Sequence, residues 1–170
     1  SDHAVRHYLD TLTSSFVVRQ LHPWFANISK RQVKAPKVYV SDSGILHALL
    51  NLRTPADVES HPKLGASWEG WVIDQLTRWL GADPRECFFW STHAGAEIDL
   101  LVVRGQRRLA FEIKRTSSPV VTPSMRHALD DLELDRLDVI HGGDRTFPLT
   151  DRIRAVACGR LLEDVPADSL

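Results

Sequence analysis

The sequence predicts an α/β fold in which helices flank a mixed β-sheet. Segments in which apolar and polar residues alternate as in strands are interleaved with segments whose apolar residues recur at helical spacing. This order makes a mixed sheet the expected packing. Of the 170 residues, 43% are hydrophobic and 25% are charged, which is typical of a globular protein with one good core or two small ones.

The first segment, residues 1–52, predicts a small lobe made of a helix and a hairpin. It opens with SDHAVRHYLD, which lacks a methionine, so we expect a piece of a longer chain. The apolar face of this helix would be formed by Val5, Tyr8, Leu9 and Leu12. The stretches SFVVRQLHPWF and APKVYVSD predict two strands, separated by the polar and basic ANISKRQVK. A helix followed by a hairpin is typical of a winged-helix tail.

Short helices lead from this lobe into the main domain, which we place at residues 53–170. Asp42 is positioned to cap SGILHALLNL, and Thr54 followed by Pro55 predicts a helix start in RTPADVES, the expected hinge. The strongest helical pattern is LGASWEGWVIDQLTRWLG, ending at Gly81, a residue suited to a left-handed cap.

The remainder of the main domain predicts five strands and one helix. CFFWST, AEIDLLVV and RLAFEIK are strand-like, with turns at HAG and RGQR. TPSMRHALDDL predicts a helix that starts at Thr122 and Pro123, and RLDVIHGG and RIRAVA predict further strands.

Charge and cysteine content narrow the class of protein. Lys and Arg number 21 against 22 Asp and Glu, so a net charge of −1 gives no global attraction to nucleic acid or anionic membrane. Cys87 and Cys158 form no Cys-x-x-Cys pair, which argues against a disulfide framework or a zinc site and fits a reducing cytoplasm. No apolar run is long enough to cross a bilayer, and we expect no membrane partner.

Glu69 is an acidic residue on the apolar face of the long helix. At about 100° per residue, the residues within about a quarter-turn of it are Gly65, Val72, Ile73, Leu76 and Leu80. Desolvating an unpaired carboxylate costs several kcal/mol or forces it to take up a proton. We therefore expect a cation or a hydrogen-bond donor beside Glu69.

The strands in AEIDLLVV and LAFEIK each combine an apolar face with a charged face. The predicted apolar faces consist of Ile98, Leu100 and Val102 in one strand and Phe111 and Ile113 in the other. The opposite faces carry Glu97 and Asp99, then Glu112 and Lys114. A hairpin that buries both apolar faces together sets Asp99 opposite Glu112 or Lys114. A cross-strand ion pair on a solvated face is the alternative reading of these charges.

Together with Glu69, the residues Asp99, Glu112 and Lys114 would form a patch of three carboxylates and one lysine. Hard oxygen ligands at this density favour Mg²⁺ or Mn²⁺. Such a metal would polarise a phosphoryl oxygen and lower the pKa of a bound water, while Lys114 positions that water or offsets developing charge. The patch therefore predicts phosphodiester hydrolysis.

The order of a helical Glu, then EID, then FEIK resembles the PD-(D/E)xK nuclease superfamily, whose restriction-endonuclease-like core is a mixed sheet flanked by helices. The resemblance implies that Asp99, Glu112 and the carbonyl of Ile113 are metal ligands. It implies that Glu69 binds the metal directly or through water, and that Lys114 is the catalytic lysine.

A wider series of stretches covers nearly the whole chain: YLDTL…FVVRQLHPW, KAPKVYVSDSGILHALL, LGASWEGWVIDQL, FFWSTHAGAEIDLLV and FEIKRT. In that order they resemble the carboxy-terminal domain of uncharacterised bacterial and archaeal AAA-type ATPases, known mainly as a domain of unknown function with a nuclease-like fold. The resemblance implies an amino-terminal ATPase module, with residues 1–52 as its winged-helix-like tail. No Gly-x-x-x-x-Gly-Lys-Ser/Thr loop occurs here, so we expect ATP to bind only in that module.

Two basic stretches are candidate contacts for DNA. One is the predicted turn, expected beside the carboxylates, with Arg104, Arg107 and Arg108, together with Arg115 just past Lys114. The other is KRQVK with Lys37. Charged turns and solvated loops are common, so both readings stay open.

Two hypotheses for function follow. The first is a Mg²⁺-dependent or Mn²⁺-dependent domain that cuts or grips DNA. The second is a catalytically silent module that docks the ATPase to a protein or nucleic-acid partner and keeps the charges as an ion-pair network, and the near-neutral net charge favours it. An oligomer is compatible with either.

Overall fold

A computed structural model of the chain describes residues 2–25 and 35–168. Its helices are α1 (Asp2–Ser14), α2 (Ser43–Leu49), α3 (Pro55–Ser60), α4 (Leu64–Trp79), α5 (Pro123–Asp131) and α6 (Leu161–Asp164). Its strands are β1 (Val18–Pro23), β2 (Lys37–Val40), β3 (Cys87–Ser91), β4 (Glu97–Arg104), β5 (Arg107–Lys114), β6 (Leu137–His141), β7 (Phe147–Pro148) and β8 (Ile153–Ala157). Short 3₁₀ helices span Pro84–Glu86 and Cys158–Arg160.

The described strands form one eight-stranded mixed sheet in the order β2-β1-β3-β4-β5-β6-β8-β7. The pairs β1/β2, β3/β4, β4/β5 and β7/β8 are antiparallel, whereas β1/β3, β5/β6 and β6/β8 are parallel. This arrangement confirms the predicted α/β class with a mixed sheet flanked by helices. The hairpin β1/β2 extends the same sheet through β3, and the division between residues 52 and 53 stays a prediction.

Two hydrophobic clusters cover the two faces of the sheet. The first packs α4 on the sheet and includes Val72, Ile73, Leu76, Leu100, Val102, Phe111 and Ile113. The second packs α5 on the other face and includes Met125, Ala128, Leu129, Ile98, Leu101 and Ala110. Helix α4 carries Glu69, one of the candidate site residues.

Local signals in the sequence set the helix ends. The carboxylate of Asp42 accepts a hydrogen bond from the backbone N–H of Ile45 at 2.9 Å, which confirms the predicted cap of α2. Thr54 and Thr122 cap α3 and α5, each followed by a proline at the first turn. Gly81, just past α4, has a φ of 56°, a left-handed conformation that glycine adopts without steric cost.

The prediction that Ile98, Leu100 and Val102 share one face is wrong, because β4 contains a β-bulge. Phe88 pairs with Leu101 but Trp90 pairs with Ile98, so β4 has one residue more than β3 over this interval. The side chain of Ile98 therefore packs in the α5 cluster, while Leu100 packs in the α4 cluster. Because of the extra residue, the side chains of β4 do not alternate strictly between the two faces of the sheet at Asp99 and Leu100.

Helix α1 and the two cysteines lie apart from the candidate site. The predicted helix α1 forms, but its apolar face is exposed at Val5, Tyr8 and Leu12. The basic stretch at residues 30–34 lies outside the described residues. Cys87 and Cys158 are free thiols. Within residues 2–25 and 35–168, every helix is too short or too polar to cross a membrane.

Candidate functional site

The hairpin β4/β5 brings Asp99 and Glu112 together. The paired register ends at Leu100 and Phe111, and Asp99 and Glu112 are the next residues of the two strands beyond that pair. The charge of Asp99 acts on Glu112, so the two carboxylates are near each other. The Oδ2 atom of Asp99 accepts a hydrogen bond from the backbone N–H of Ile113 at 2.9 Å. In an antiparallel ladder this N–H would pair with a carbonyl of β4, so the side chain substitutes for the backbone acceptor at the bulge. This contact fixes the orientation of a carboxylate that is only 10% exposed.

Glu112 and Lys114 lie on the same face of β5, also as predicted. The Oε1 atom of Glu112 lies 2.5 Å from the ammonium of Lys114. The side chain of Lys114 is 44% exposed, so it lies between the buried carboxylate of Glu112 and the solvent. The other oxygen, Oε2 of Glu112, is buried and has no hydrogen-bond partner among the residues that the structure describes. An orphaned carboxylate oxygen is costly and indicates a missing partner.

A second lysine, Lys37 of β2, forms ion pairs with three carboxylates. Its Nζ atom lies 2.7 Å from Oε1 of Glu97, 3.2 Å from Oε1 of Glu69 and 3.3 Å from Oδ1 of Asp99. The same atom lies 5.5 Å from the centre of the Phe89 ring. These contacts confirm the expectation that a cation lies beside Glu69.

Tyr39, two residues further along β2, also binds Glu69. Its hydroxyl donates a short hydrogen bond to Oε1 of Glu69. The approach of the ring to α4 depends on Gly70, because a Cβ at that position would lie 2.9 Å from Cδ1 of Tyr39. Gly70 thus allows β2 to pack closely against the helix that carries Glu69.

Burial and mutual repulsion favour the protonated acids at this site. Burial, with the charge of Asp99, raises the pKa of Glu112 to about 7. Burial, with the charge of Glu69, also raises the pKa of Asp99. Burial and the hydrogen bond to Glu69 raise the pKa of the Tyr39 phenol. Each of these groups is therefore harder to ionise in the folded protein than in water.

The pKa of each lysine is raised, although burial acts in the opposite direction. For Lys37, the hydrogen bond with Glu97 and the charges of Asp99 and Glu69 outweigh burial. For Lys114, the hydrogen bond with Glu112 outweighs burial. Both side chains remain ammonium ions over the ordinary pH range.

The structure thus brings together the predicted residues Glu69, Asp99, Glu112 and Lys114, and it adds residues that we did not predict. Lys37 was expected at a basic loop, and Tyr39 and Glu97 were given no role. The sequence contained one signal: in KVYV, alternation places Lys37 and Tyr39 on one face of the strand. In the structure, Val38 between them is exposed, so the face with Lys37 and Tyr39 is turned inward. A strand that turns its polar residues inward indicates a buried polar partner.

The arginines of the β4/β5 turn lie away from the site. Arg104 pairs with Arg107 five positions beyond Asp99, a distance of about 17 Å along a strand. Arg104 binds Glu86, and Arg108 donates to the carbonyl of Leu132. The expectation that this turn lies beside the carboxylates is wrong, because the site is at the opposite end of the hairpin.

Arg115 follows Lys114 directly, and it binds the carboxylate of Glu59 at 2.8 Å. Both side chains of this ion pair are solvent-exposed, which makes it a weak contact that a ligand can replace. A contact between any of these arginines and nucleic acid stays a prediction.

The donor set has the chemistry of a divalent-metal site but is arranged around an ammonium ion. In the part of the chain that the structure describes, no group of three or more His, Cys, Asp and Glu side chains is placed to hold a metal ion. The cluster nevertheless offers the hard oxygen atoms that Mg²⁺ and Mn²⁺ prefer. Its carboxylates, Glu69, Glu97, Asp99 and Glu112, outnumber the ammonium groups of Lys37 and Lys114. This excess and the orphaned oxygen of Glu112 fit a further cation.

Comparison with known proteins assigns two segments. The family described as "Domain of unknown function (DUF4143)" matches residues 64–161, and "Domain of unknown function (DUF8612)" matches residues 1–56. The uncharacterized proteins Rv2008c of Mycobacterium tuberculosis and Mb2031c of Mycobacterium bovis are each 48% identical over 165 residues. The alignment covers 97% of this chain but only 37% of either relative's length. No solved structure matches.

Proposed function

Since this chain belongs to the DUF4143 family of domains of unknown function, we propose a function from its site: it is a nuclease-like domain that binds a divalent cation and acts on the phosphodiester backbone of DNA. The observation that carries the proposal is the orphaned oxygen of Glu112, which is buried near the charge of Asp99. A divalent cation is the partner that best completes an arrangement of surplus carboxylates, because it removes both the unsatisfied oxygen and the repulsion.

In this proposal, Asp99 and Glu112 hold Mg²⁺ or Mn²⁺, and the carbonyl of Ile113 is available as a third ligand. When bound, the metal supplies Lewis acidity toward a phosphoryl oxygen and lowers the pKa of a bound water. The ammonium of Lys114 lies at the solvent edge of the cluster, where it attracts a phosphate and offsets the charge that develops on it. Glu69 completes the acidic wall, directly or through water.

The order of the central strands supports a restriction-endonuclease-like core. Strands β3, β4 and β5 form an antiparallel unit, β6 and β8 add in parallel, and α4, which carries Glu69, packs on one face of the sheet. We also propose that the longer protein is a cytoplasmic AAA-type ATPase, and that ATP binding and any oligomerisation belong to its other parts. The chain spans 37% of the length of its relatives, which leaves room for such a module.

The test is plasmid cleavage. The purified chain is incubated with supercoiled DNA and Mn²⁺ or Mg²⁺, beside Glu112→Gln and Lys114→Met, with Glu133→Gln as a control at an exposed position. We expect the wild type and the control to nick or linearise the plasmid and the two site variants to lose this activity. Cleavage that persists in both site variants points to a contaminating nuclease, and a wild type that neither cleaves nor binds metal refutes the proposal.

A silent docking module is the second candidate, and one observation favours it. Three of the carboxylates already share the ammonium of Lys37, which neutralises part of the cluster without a metal. A ligand that binds only the folded state raises the melting temperature. A melting temperature that is unchanged by millimolar Mg²⁺ or Mn²⁺ supports the docking module.

A further inference from the structure

We propose that Lys37 is the resident cation of this site, and that a divalent metal held by Asp99 and Glu112 binds only by displacing the Lys37 ammonium from Asp99 and Glu69. The inference rests on the proposed function, because it concerns how the same carboxylates exchange one cation for another. It assigns to the strand β2 control over the cation state of a site built mainly from α4, β4 and β5.

The contacts distinguish Lys37 from the other lysine of the cluster. Its ammonium touches carboxylates from three positions, at 2.7, 3.2 and 3.3 Å, whereas Lys114 forms an ion pair with Glu112 alone among the described residues. Lys37 is 24% exposed and Lys114 is 44% exposed. Lys37 therefore lies among the carboxylates, and Lys114 lies at their edge.

The oxygen atoms around Lys37 are spaced for an ammonium ion. Mg²⁺ binds oxygen at about 2.0–2.1 Å in near-octahedral geometry, which is well below the 2.7–3.3 Å found at Nζ. A metal in this position would repel the ammonium at short range, since both are cations. The two cations are therefore alternatives for Asp99 and Glu69.

Control by β2 follows from where Lys37 is attached. Lys37 and Tyr39 both reach the site from this strand, and Tyr39 holds Glu69 through its hydroxyl. Strand β2 is at the edge of the described sheet and pairs only with β1. A shift of this strand would withdraw the ammonium and release Glu69 in one movement. Lys37 and Tyr39 belong to the segment that matches DUF8612, whereas Glu69 and Asp99 belong to the segment that matches DUF4143.

The deciding experiment compares Mn²⁺ affinity, measured by electron paramagnetic resonance of the free ion, between the wild type and Lys37→Met. Arg85→Met is the matched control, because it removes one positive charge from an exposed pair with Asp83. We expect Lys37→Met to bind Mn²⁺ at least about tenfold more tightly than the wild type, a factor equal to about 1.4 kcal/mol, and Arg85→Met to bind like the wild type.

The other outcomes separate this inference from the proposed function. Equal or weaker binding by Lys37→Met, with a wild type that binds, overturns the inference and leaves the metal site intact. Binding by Lys37→Met alone supports the inference and refutes a metal-dependent function for the wild-type chain. No binding by either protein overturns both.

A second measurement needs no substitution at the site, in case Lys37→Met fails to fold. The wild type is treated with an amine-acetylating reagent, and the labelling rates of Lys37 and the exposed Lys63 are compared by mass spectrometry, with chelator and with Mg²⁺. We expect Mg²⁺ to increase the rate at Lys37 several-fold and leave Lys63 unchanged. An unchanged rate at Lys37 with saturating Mg²⁺ overturns the inference.

Discussion

The two carboxylate oxygens of Asp99 bind different partners, the backbone N–H of Ile113 and the ammonium of Lys37. Oδ2 accepts the backbone N–H of Ile113 at 2.9 Å, and Oδ1 lies 3.3 Å from the ammonium of Lys37. The first contact closes the ladder at the β-bulge, and the second belongs to the ion cluster. The two roles can be separated, because asparagine keeps an acceptor oxygen but has no charge.

We therefore predict that Asp99→Asn is more stable than Asp99→Ala. Asparagine can still accept the N–H of Ile113, whereas alanine leaves that buried donor unsatisfied, at a cost of about 1–3 kcal/mol. The measurement is urea unfolding in chelator. Equal free energies of unfolding for the two variants would mean that this hydrogen bond contributes nothing.

Glu112 is expected to make stability depend on pH. Because its folded pKa of about 7 lies above the ordinary 4.5, the folded chain keeps a proton that the unfolded chain releases between these values. Its contribution is fully present below about pH 4.5 and is lost as pH rises through about 7. The free energy of unfolding of the wild type, minus that of Glu112→Gln, should fall over this window by at most about 3 kcal/mol. A difference that is flat with pH would contradict the raised pKa.

Tyr39 should stay protonated in the folded protein at a pH where an ordinary tyrosine ionises, because burial and the hydrogen bond to Glu69 raise the pKa of its phenol. The chain has two tyrosines, so the Tyr8→Phe variant reports on Tyr39 alone. In ultraviolet titration of this variant, we expect tyrosinate absorbance near pH 10 in the unfolded chain and none in the folded chain. Equal absorbance in the two states would disprove the raised pKa.

Gly70 and Gly65 give a matched pair on α4. An added Cβ meets nothing within 4 Å at Gly65, so Gly65→Ala should stabilise by up to about 1 kcal/mol. At Gly70 the Cβ collides with Tyr39, so Gly70→Ala should destabilise by about 1–2 kcal/mol. Both are measured by thermal and urea unfolding. In a Tyr39→Ala background the cost at Gly70 should disappear, and its persistence would place the strain elsewhere.

The sequence predicted the elements well because their signals are local. Asp42, Thr54 and Thr122 each cap the helix that their position indicated, and Gly81 has the left-handed backbone expected past α4. The proximity of Asp99 and Glu112 was predicted from the hairpin of β4 and β5, two strands that are neighbours in sequence. These relationships need only a short window of sequence.

The errors arose where distant segments meet. The bulge in β4 depends on its pairing with β3, and simple alternation cannot show it. The position of Lys37 depends on β1 lying beside β3, a parallel pairing between segments more than sixty residues apart in sequence. The arginines of the turn were misplaced because adjacency in sequence was taken for adjacency in space, although a strand of this length separates them from Asp99.

The pairing of β1 with β3 has a practical consequence for anyone who dissects this protein. A fragment cut between the two family matches, near residue 60, would seem a natural unit. It would lack Lys37 and Tyr39, so Glu69 would lose both of its described partners. Strand β3, which is an interior strand in the described sheet, would become an edge strand with backbone groups open to pairing with another molecule. Aggregation or metal affinity measured on such a fragment would reflect the loss of β1 and β2 and not a property of the native domain.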